Sequence, residues 1–97
     1  METLAFTYPA RSRIDQRAHV GVVGSGDLEV LLVPAAEPEA RVVVRTSVDG
    51  YGAIWQAVLD RFFARHDVAA SVEINDFGAT PGVVSLRLAQ ALEVSRS

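Results

Sequence analysis

Ser25 is the residue whose type and setting most suggest chemistry. It stands between Gly24 and Gly26 and is followed by Asp27. Two glycines free the backbone around the hydroxyl of Cβ bulk and favour a sharp turn, so a second enzyme can reach Ser25. The same four residues are also ordinary hairpin punctuation, in which Asp27 bonds its own local backbone. Other chemistry is thinner. Gly21, Gly24 and Gly26 imitate part of a dinucleotide-binding loop, but a strand pattern follows instead of a helix and the third glycine of that fingerprint is absent. Asp76-Phe77-Gly78 matches a kinase magnesium triplet in a chain with no lysine to hold phosphate, and reads as a turn leading to a cap at Thr80. His19 and His66 are too few for a histidine metal site. A triad of Ser25, His66 and Asp67 is a poor hypothesis, because the last two are adjacent at a helix end and point apart.

The elements that must position Ser25 follow from periodicity. Leu4, Phe6 and Tyr8 alternate with polar or small residues as in a strand with one buried face. Residues 9–16 are polar and arginine-containing and read as a mobile connecting loop. Residues 18–23 and 28–33 are β-branched runs on either side of residues 24–27, a hairpin whose glycines supply the positive φ angles of a tight turn. Residues 41–46 form a fourth strand. The period then changes: Ile54, Val58 and Phe62 with Trp55, Leu59 and Phe63 make one apolar stripe on a helix. A short strand at residues 71–75 returns to the sheet. Thr80 is a good N-cap and Pro81 suits the first helical position, so a last helix covers residues 81–93 with Val84, Leu88, Ala91 and Leu92 inward. The order ββββ-α-β-α argues for an α/β two-layer sandwich, an antiparallel or mixed sheet of about five strands with two helices on one face.

Totals bound the rest. The chain has 97 residues, 49% hydrophobic and 22% charged, which suits one globular domain over residues 1–97. Its net charge is -3 and every basic residue except histidine is arginine, so no basic stripe for nucleic acid exists. Arg41, Arg45 and Arg61 are the arginines considered for meeting phosphates, with solvated surface the plainer reading of each. There is no cysteine, which excludes disulfides, thiolate metal sites and a cysteine nucleophile and fits a reducing cytoplasm. No run approaches the ~20 apolar residues of a membrane span. Neither nucleic acid nor membrane is an expected partner.

Residues 22–31, Val-Val-Gly-Ser-Gly-Asp-Leu-Glu-Val-Leu, resemble the prosthetic-group segment of the malonate decarboxylase acyl carrier, the delta subunit. Residues 45–50, 55–59, 61–63 and 73–82 are similar to the same family, so the likeness spans nearly the whole chain, weakest at residues 10–16 and after Leu92. The resemblance implies that Ser25 is joined by a phosphodiester to phosphoribosyl-dephospho-CoA, a thiol-ended arm shared with the related citrate lyase carrier. Gly24, Gly26 and Asp27 support the attachment turn. It further implies a carrier with no catalytic residues or metal of its own, holding acetyl and malonyl thioesters while malonate becomes acetate and carbon dioxide. The implied partners are the acetyl-carrier:malonate transferase subunit, the malonyl-carrier decarboxylase subunits, the prosthetic-group transferase and a malonyl-loading acyltransferase. Three other readings of the chain stand beside it: a citrate-lyase-like acyl carrier, a non-covalent assembly module of a larger complex, and a small hydrolase using Ser25.

Overall fold

The structure, a computed structural model, describes residues 1–96. Strands β1 (Glu2–Pro9), β2 (Ala18–Gly21), β3 (Leu28–Pro34) and β4 (Glu39–Thr46) precede helix α1 (Gly52–Arg65); strand β5 (Ala70–Asp76) and helix α2 (Pro81–Ser95) follow. The expected ββββ-α-β-α order and the two-layer α/β sandwich are therefore what the chain adopts. The sheet is mixed, in the order β1-β4-β5-β3-β2, with β4 and β5 parallel across α1 and the other pairs antiparallel. β5, expected as a short return strand, is the centre of the sheet.

Alternation along the strands decides which face is covered. Leu28, Val30 and Leu32, Val42 and Val44, and Val72 and Ile74 are all buried against the helices. From the helices come Trp55, Leu59 and Phe62 of α1 and Val84, Leu88, Ala91 and Leu92 of α2. Ile54, expected in the inward stripe, instead stands 46% exposed at the margin of α1, whose buried line is Trp55, Leu59 and Phe62. Tyr8 packs on Phe63 and donates its hydroxyl to Asp60 at 2.7 Å; burial first, then the Asp60 bond, pushes the Tyr8 phenol well above its ordinary pKa. The other face of the sheet carries an ion-pair and hydrogen-bond ladder running from His19 through Glu29, Asn75 and Glu73 to Arg45.

Two further expectations are corrected. β2 stops at Gly21 rather than Val23: Gly21 has φ +87, and a Cβ there would fall on the Leu28 carbonyl oxygen, so the pairing cannot continue in register. Val22 and Val23 leave the sheet and stand 60% and 56% exposed. The segment after β1 is no mobile loop. Ala10 and Ile14 are buried, Asp67 accepts the backbone amides of Arg11 and Ser12 at 2.7 and 3.1 Å, and the Ser95 carbonyl accepts those of Asp15 and Gln16. Polar composition signalled a loop, and the partners that pin it are 55 or more residues away in sequence, beyond the reach of any local pattern.

Leu59 is fully buried in the α1 layer of the core. Leu59→Ala should lower the unfolding free energy by about 3 kcal/mol in urea titration, as core leucine truncations typically do.

Candidate functional site

Ser25 lies at the sheet edge formed by the start of β3 and the ends of β4 and β5, where Leu28 pairs with Asp76 and Thr46 also faces Asp76. Gly24 to Asp27 close a turn in which the Asp27 amide donates to the Gly24 carbonyl at 3.1 Å. Gly26, the third residue of that turn, has φ +76, the conformation a type II turn requires there. Gly24 has no positive φ, so the expectation that both glycines supply one is corrected: within the turn only Gly26 does, while Gly24 contributes its carbonyl. A Cβ on Gly26 would meet nothing within 4 Å and one on Gly24 only a Val22 methyl at 3.9 Å, so the space on both sides of the exposed Ser25 side chain is open.

An open turn need not be a loose one. The Gly26 amide donates to the Phe77 carbonyl at 2.8 Å and the Phe77 amide to the Asp27 carbonyl at 2.9 Å. These two bonds continue the β3–β5 ladder one step past Asp76 and clamp the turn to the central strand. Asp27 adds a second clamp. One of its oxygens accepts its neighbour Leu28's amide at 2.7 Å, and the carboxylate takes both the Nε (3.2 Å) and Nη2 (2.8 Å) of Arg87 on α2. The Arg87 bonds, with help from the Leu28 amide, hold the Asp27 carboxyl below the usual carboxylate range, and Asp27 in turn raises Arg87. Asp27 thus bonds its own local backbone, as the sequence suggested, and holds the turn to α2 besides.

The chain reversal behind the clamp is itself pinned. Asp76, 3% exposed, accepts the Thr46 hydroxyl at 2.8 Å and the Ala79 amide at 2.9 Å, and Thr80 then caps α2 by accepting the Val83 amide, with Pro81 at the first position. The Asp76-Phe77-Gly78 triplet is thus the turn into the cap, as its sequence suggested. Sequence reasoning missed that its backbone also holds Ser25's turn, and it missed Arg87 altogether. Nothing local marks Arg87; its partner is 60 residues away.

The remaining candidates lie elsewhere. His66 ends α1, stacked on Phe62, and Asp67 binds the Arg11 and Ser12 amides at the edge where β1 ends and β5 begins. That edge is separated from Ser25 by the length of the seven-residue β5, roughly 20 Å at ~3.3 Å per residue, so no triad forms. His19 pairs with Glu29, and among the described residues no three His, Asp or Glu side chains gather to hold a metal. Arg41 is taken by Glu37 and Glu39 and Arg45 by Glu73, while Arg61 is exposed on α1. Gly21, Gly24 and Gly26 open no helix; β3 follows them.

A small α/β sandwich that holds the Ser25 hydroxyl outward on a clamped turn, its neighbours Asp27 and Asp76 already bonded, fits the class of domains that present a group to other proteins. Comparison with known proteins narrows that class. The family described as malonate decarboxylase delta subunit (MdcD) matches residues 15–95. The malonate decarboxylase acyl carrier protein of Pseudomonas aeruginosa (strain UCBPP-PA14) is 57% identical over 94 residues, covering 96% of this chain and 95% of the relative. That of Azotobacter vinelandii (strain DJ / ATCC BAA-1303) is 54% identical over the same length and shares. Among solved structures, a chain in the crystal structure of a Pseudomonas malonate decarboxylase hetero-tetramer in complex with malonate superposes with a TM-score of 0.92 at 49% identity, covering 97% of this chain and 98% of that one. The chain belongs to the malonate decarboxylase delta-subunit family, and is an acyl carrier rather than a catalytic subunit.

Two measurements check the turn. Gly26→Ala should cost only about 1–2 kcal/mol, the conformational penalty of a left-handed residue in open space, whereas Gly21→Ala adds a clash with backbone and should cost clearly more; thermal melts of the two variants rank them. The Asp27–Arg87 pair should also show in acid. Because the folded Asp27 pKa is depressed, its stabilisation is complete above the unfolded value of about 3.9 and is lost as pH falls through the lower folded value, so Asp27→Asn should flatten the stability profile below about pH 4 and leave its neutral slope unchanged.

Proposed function

We propose that Ser25 is the covalent attachment point of a phosphoribosyl-dephospho-CoA arm and that the chain, acting as one carrier domain over residues 1–97, delivers acyl groups on that arm during malonate decarboxylation. The observation that carries this reading is the exposed Ser25 hydroxyl on a turn fixed by both backbone bonds to Phe77, in a chain 57% identical to a named acyl carrier. The residues present fit such a group. Open space at Gly24 and Gly26 admits a phosphodiester on Ser25 and the transferase that makes it, and the clamp gives the tether a defined origin. Once attached, the arm supplies a thiol whose thioester carbonyl takes up charge as the malonyl carboxylate leaves. Asp27 and Arg87 keep the turn in place as partners dock, and tethering raises the local concentration of the acyl group at each partner's site.

The partners proposed are the other subunits of a malonate decarboxylase assembly: the acetyl-carrier:malonate transferase and the malonyl-carrier decarboxylase subunits, with the prosthetic-group transferase and a malonyl-loading acyltransferase visiting in turn. The solved relative being part of a hetero-tetramer supports this, and so do Met1, Val22, Val23, Tyr51 and Ile54, large exposed apolar residues on the elements that converge at the Ser25 edge. No helix among the described residues is long and apolar enough to cross a membrane, and we place the carrier in the cytoplasm on its lack of cysteine.

Intact mass spectrometry of the chain co-expressed with its prosthetic-group transferase tests the reading. The expected result is an added mass equal to the dephospho-CoA derivative, mapped to Ser25 and absent from Ser25→Ala. An unmodified chain alongside a demonstrably active transferase overturns it.

A further inference from the structure

Beside the attachment turn, a cleft of about 310 Å³ opens between the first turns of α1 and α2. Its walls are Ile54, Trp55 and Val58 from α1 and Pro81 and Val84 from α2; Thr46 and Asp76 lie among the lining residues as a buried polar pair. Gly78 and Ala79 also line it, and a Cβ built on Gly78 would lie 3.9 Å from the Gly26 backbone nitrogen, so the cleft adjoins the turn that carries Ser25. The polar pair asks nothing of a ligand. The Thr46 hydroxyl donates to Asp76 and accepts the Val48 amide, and Asp76's second oxygen takes the Ala79 amide. No cationic side chain lines the cleft.

That lining selects among the chemical pieces of the arm. Phosphates find no cation there, and the half-exposed Tyr51 hydroxyl is an uncommitted side-chain polar group of the lining. A methylene chain, a sulfur and a small acyl group suit the lining, because they need only apolar contact and the exclusion of water. The two acyl loads differ sharply: an acetyl group is apolar at its end, whereas a malonyl group ends in a carboxylate that would exchange its hydration for a lining with no cation and, beyond the committed Thr46, only aromatic side chains, Tyr51 with its hydroxyl among them, as side-chain donors, a penalty that keeps it out.

Resting on the attachment of the arm to Ser25, we propose that this cleft shelters the acetyl thioester end of the arm between encounters and refuses the malonyl thioester, so that loading malonate itself releases the arm to solvent. Ile54 acquires a role under this reading. It is 46% exposed and lines the cleft, so it offers an apolar wall that an incoming chain can reach.

The test compares thioester cleavage by neutral hydroxylamine, followed by intact mass, on the modified chain carrying acetyl or malonyl against the same acyl groups on free coenzyme A. The acetyl carrier should be cleaved about tenfold more slowly than acetyl-coenzyme A, the protection given by an end seated ~90% of the time, and the malonyl carrier at the rate of malonyl-coenzyme A. Val58→Phe, which fills the cleft from a half-buried position, should restore fast cleavage of the acetyl form while its circular dichroism melt shows it folded. Should that variant not fold, Trp55 emission in the unaltered chain serves: it should shift on acetylation and return on conversion to malonyl. Equal cleavage of the acetyl carrier and acetyl-coenzyme A, or of acetyl and malonyl carriers, overturns the shelter. A chain whose mass shows no arm overturns this inference and the attachment reading together, whereas a modified but unprotected chain overturns this inference alone.

Discussion

Everything at the Ser25 edge depends on one pair of backbone hydrogen bonds, those joining Gly26 and Asp27 to Phe77. A side chain that must be reached by another protein has to sit in the open, and residues in the open are the ones whose backbone is least restrained. Extending the β3–β5 ladder one step beyond Asp76 resolves that conflict without covering the serine. The restraint acts on the main chain, from the side of the sheet, and the side chain stays free. It also makes β5 the natural centre of the sheet: a strand paired on both sides has the least freedom to fray, and the turn inherits that rigidity.

Helix α2 ties into the same edge. Asp76 is buried, yet each of its oxygens has a donor, one from Thr46 at the end of β4 and one from Ala79 in the reversal. A buried carboxylate is tolerable only when so satisfied, and here satisfaction fixes three chain segments relative to one another. Arg87, two turns further along α2, then reaches back to Asp27. Both side chains are partly exposed, so the pair adds little to overall stability; its effect is on where the turn sits relative to the helix. The first turn of α2 is thereby held beside the first turn of α1, and the gap between them is the cleft.

Elements with a strong local period were legible in the sequence. The alternation of Leu4, Phe6 and Tyr8, the valine run at residues 42–44, and the Thr80-Pro81 cap each specify their own conformation within a few residues, and each formed as read. Where the reading went astray, the deciding contact was distant. Val22 and Val23 have good strand propensity, and only the approach of the Leu28 carbonyl to Gly21 forces them out of the sheet. The segment after β1 has a loop's composition because its polar groups are satisfied by Asp67 and Ser95, not because it is free. The strand order, the Phe77 clamp and Arg87 belong to the same class of fact. Ser25 itself was found because two flanking glycines are a local signal, but its meaning came from likeness to a family; turn chemistry alone does not distinguish a tethering serine from a hairpin tip.

The separation of Ser25 from His66 and Asp67 by the length of the sheet bears on why the chain is a carrier and not a small hydrolase. A serine without a base to take its proton is a poor nucleophile at neutral pH, and the carboxylates nearest it in the chain and across the turn are committed elsewhere: Asp27 to Arg87 and Asp76 to Thr46 and Ala79. An inert hydroxyl suits the phosphodiester proposed for Ser25, since a neighbouring base or acid would offer it a route to cleavage. The edge thus combines access from outside and a rigid main chain with side-chain chemistry spent on holding the turn, and under the proposed attachment catalysis is left to the protein that the arm visits.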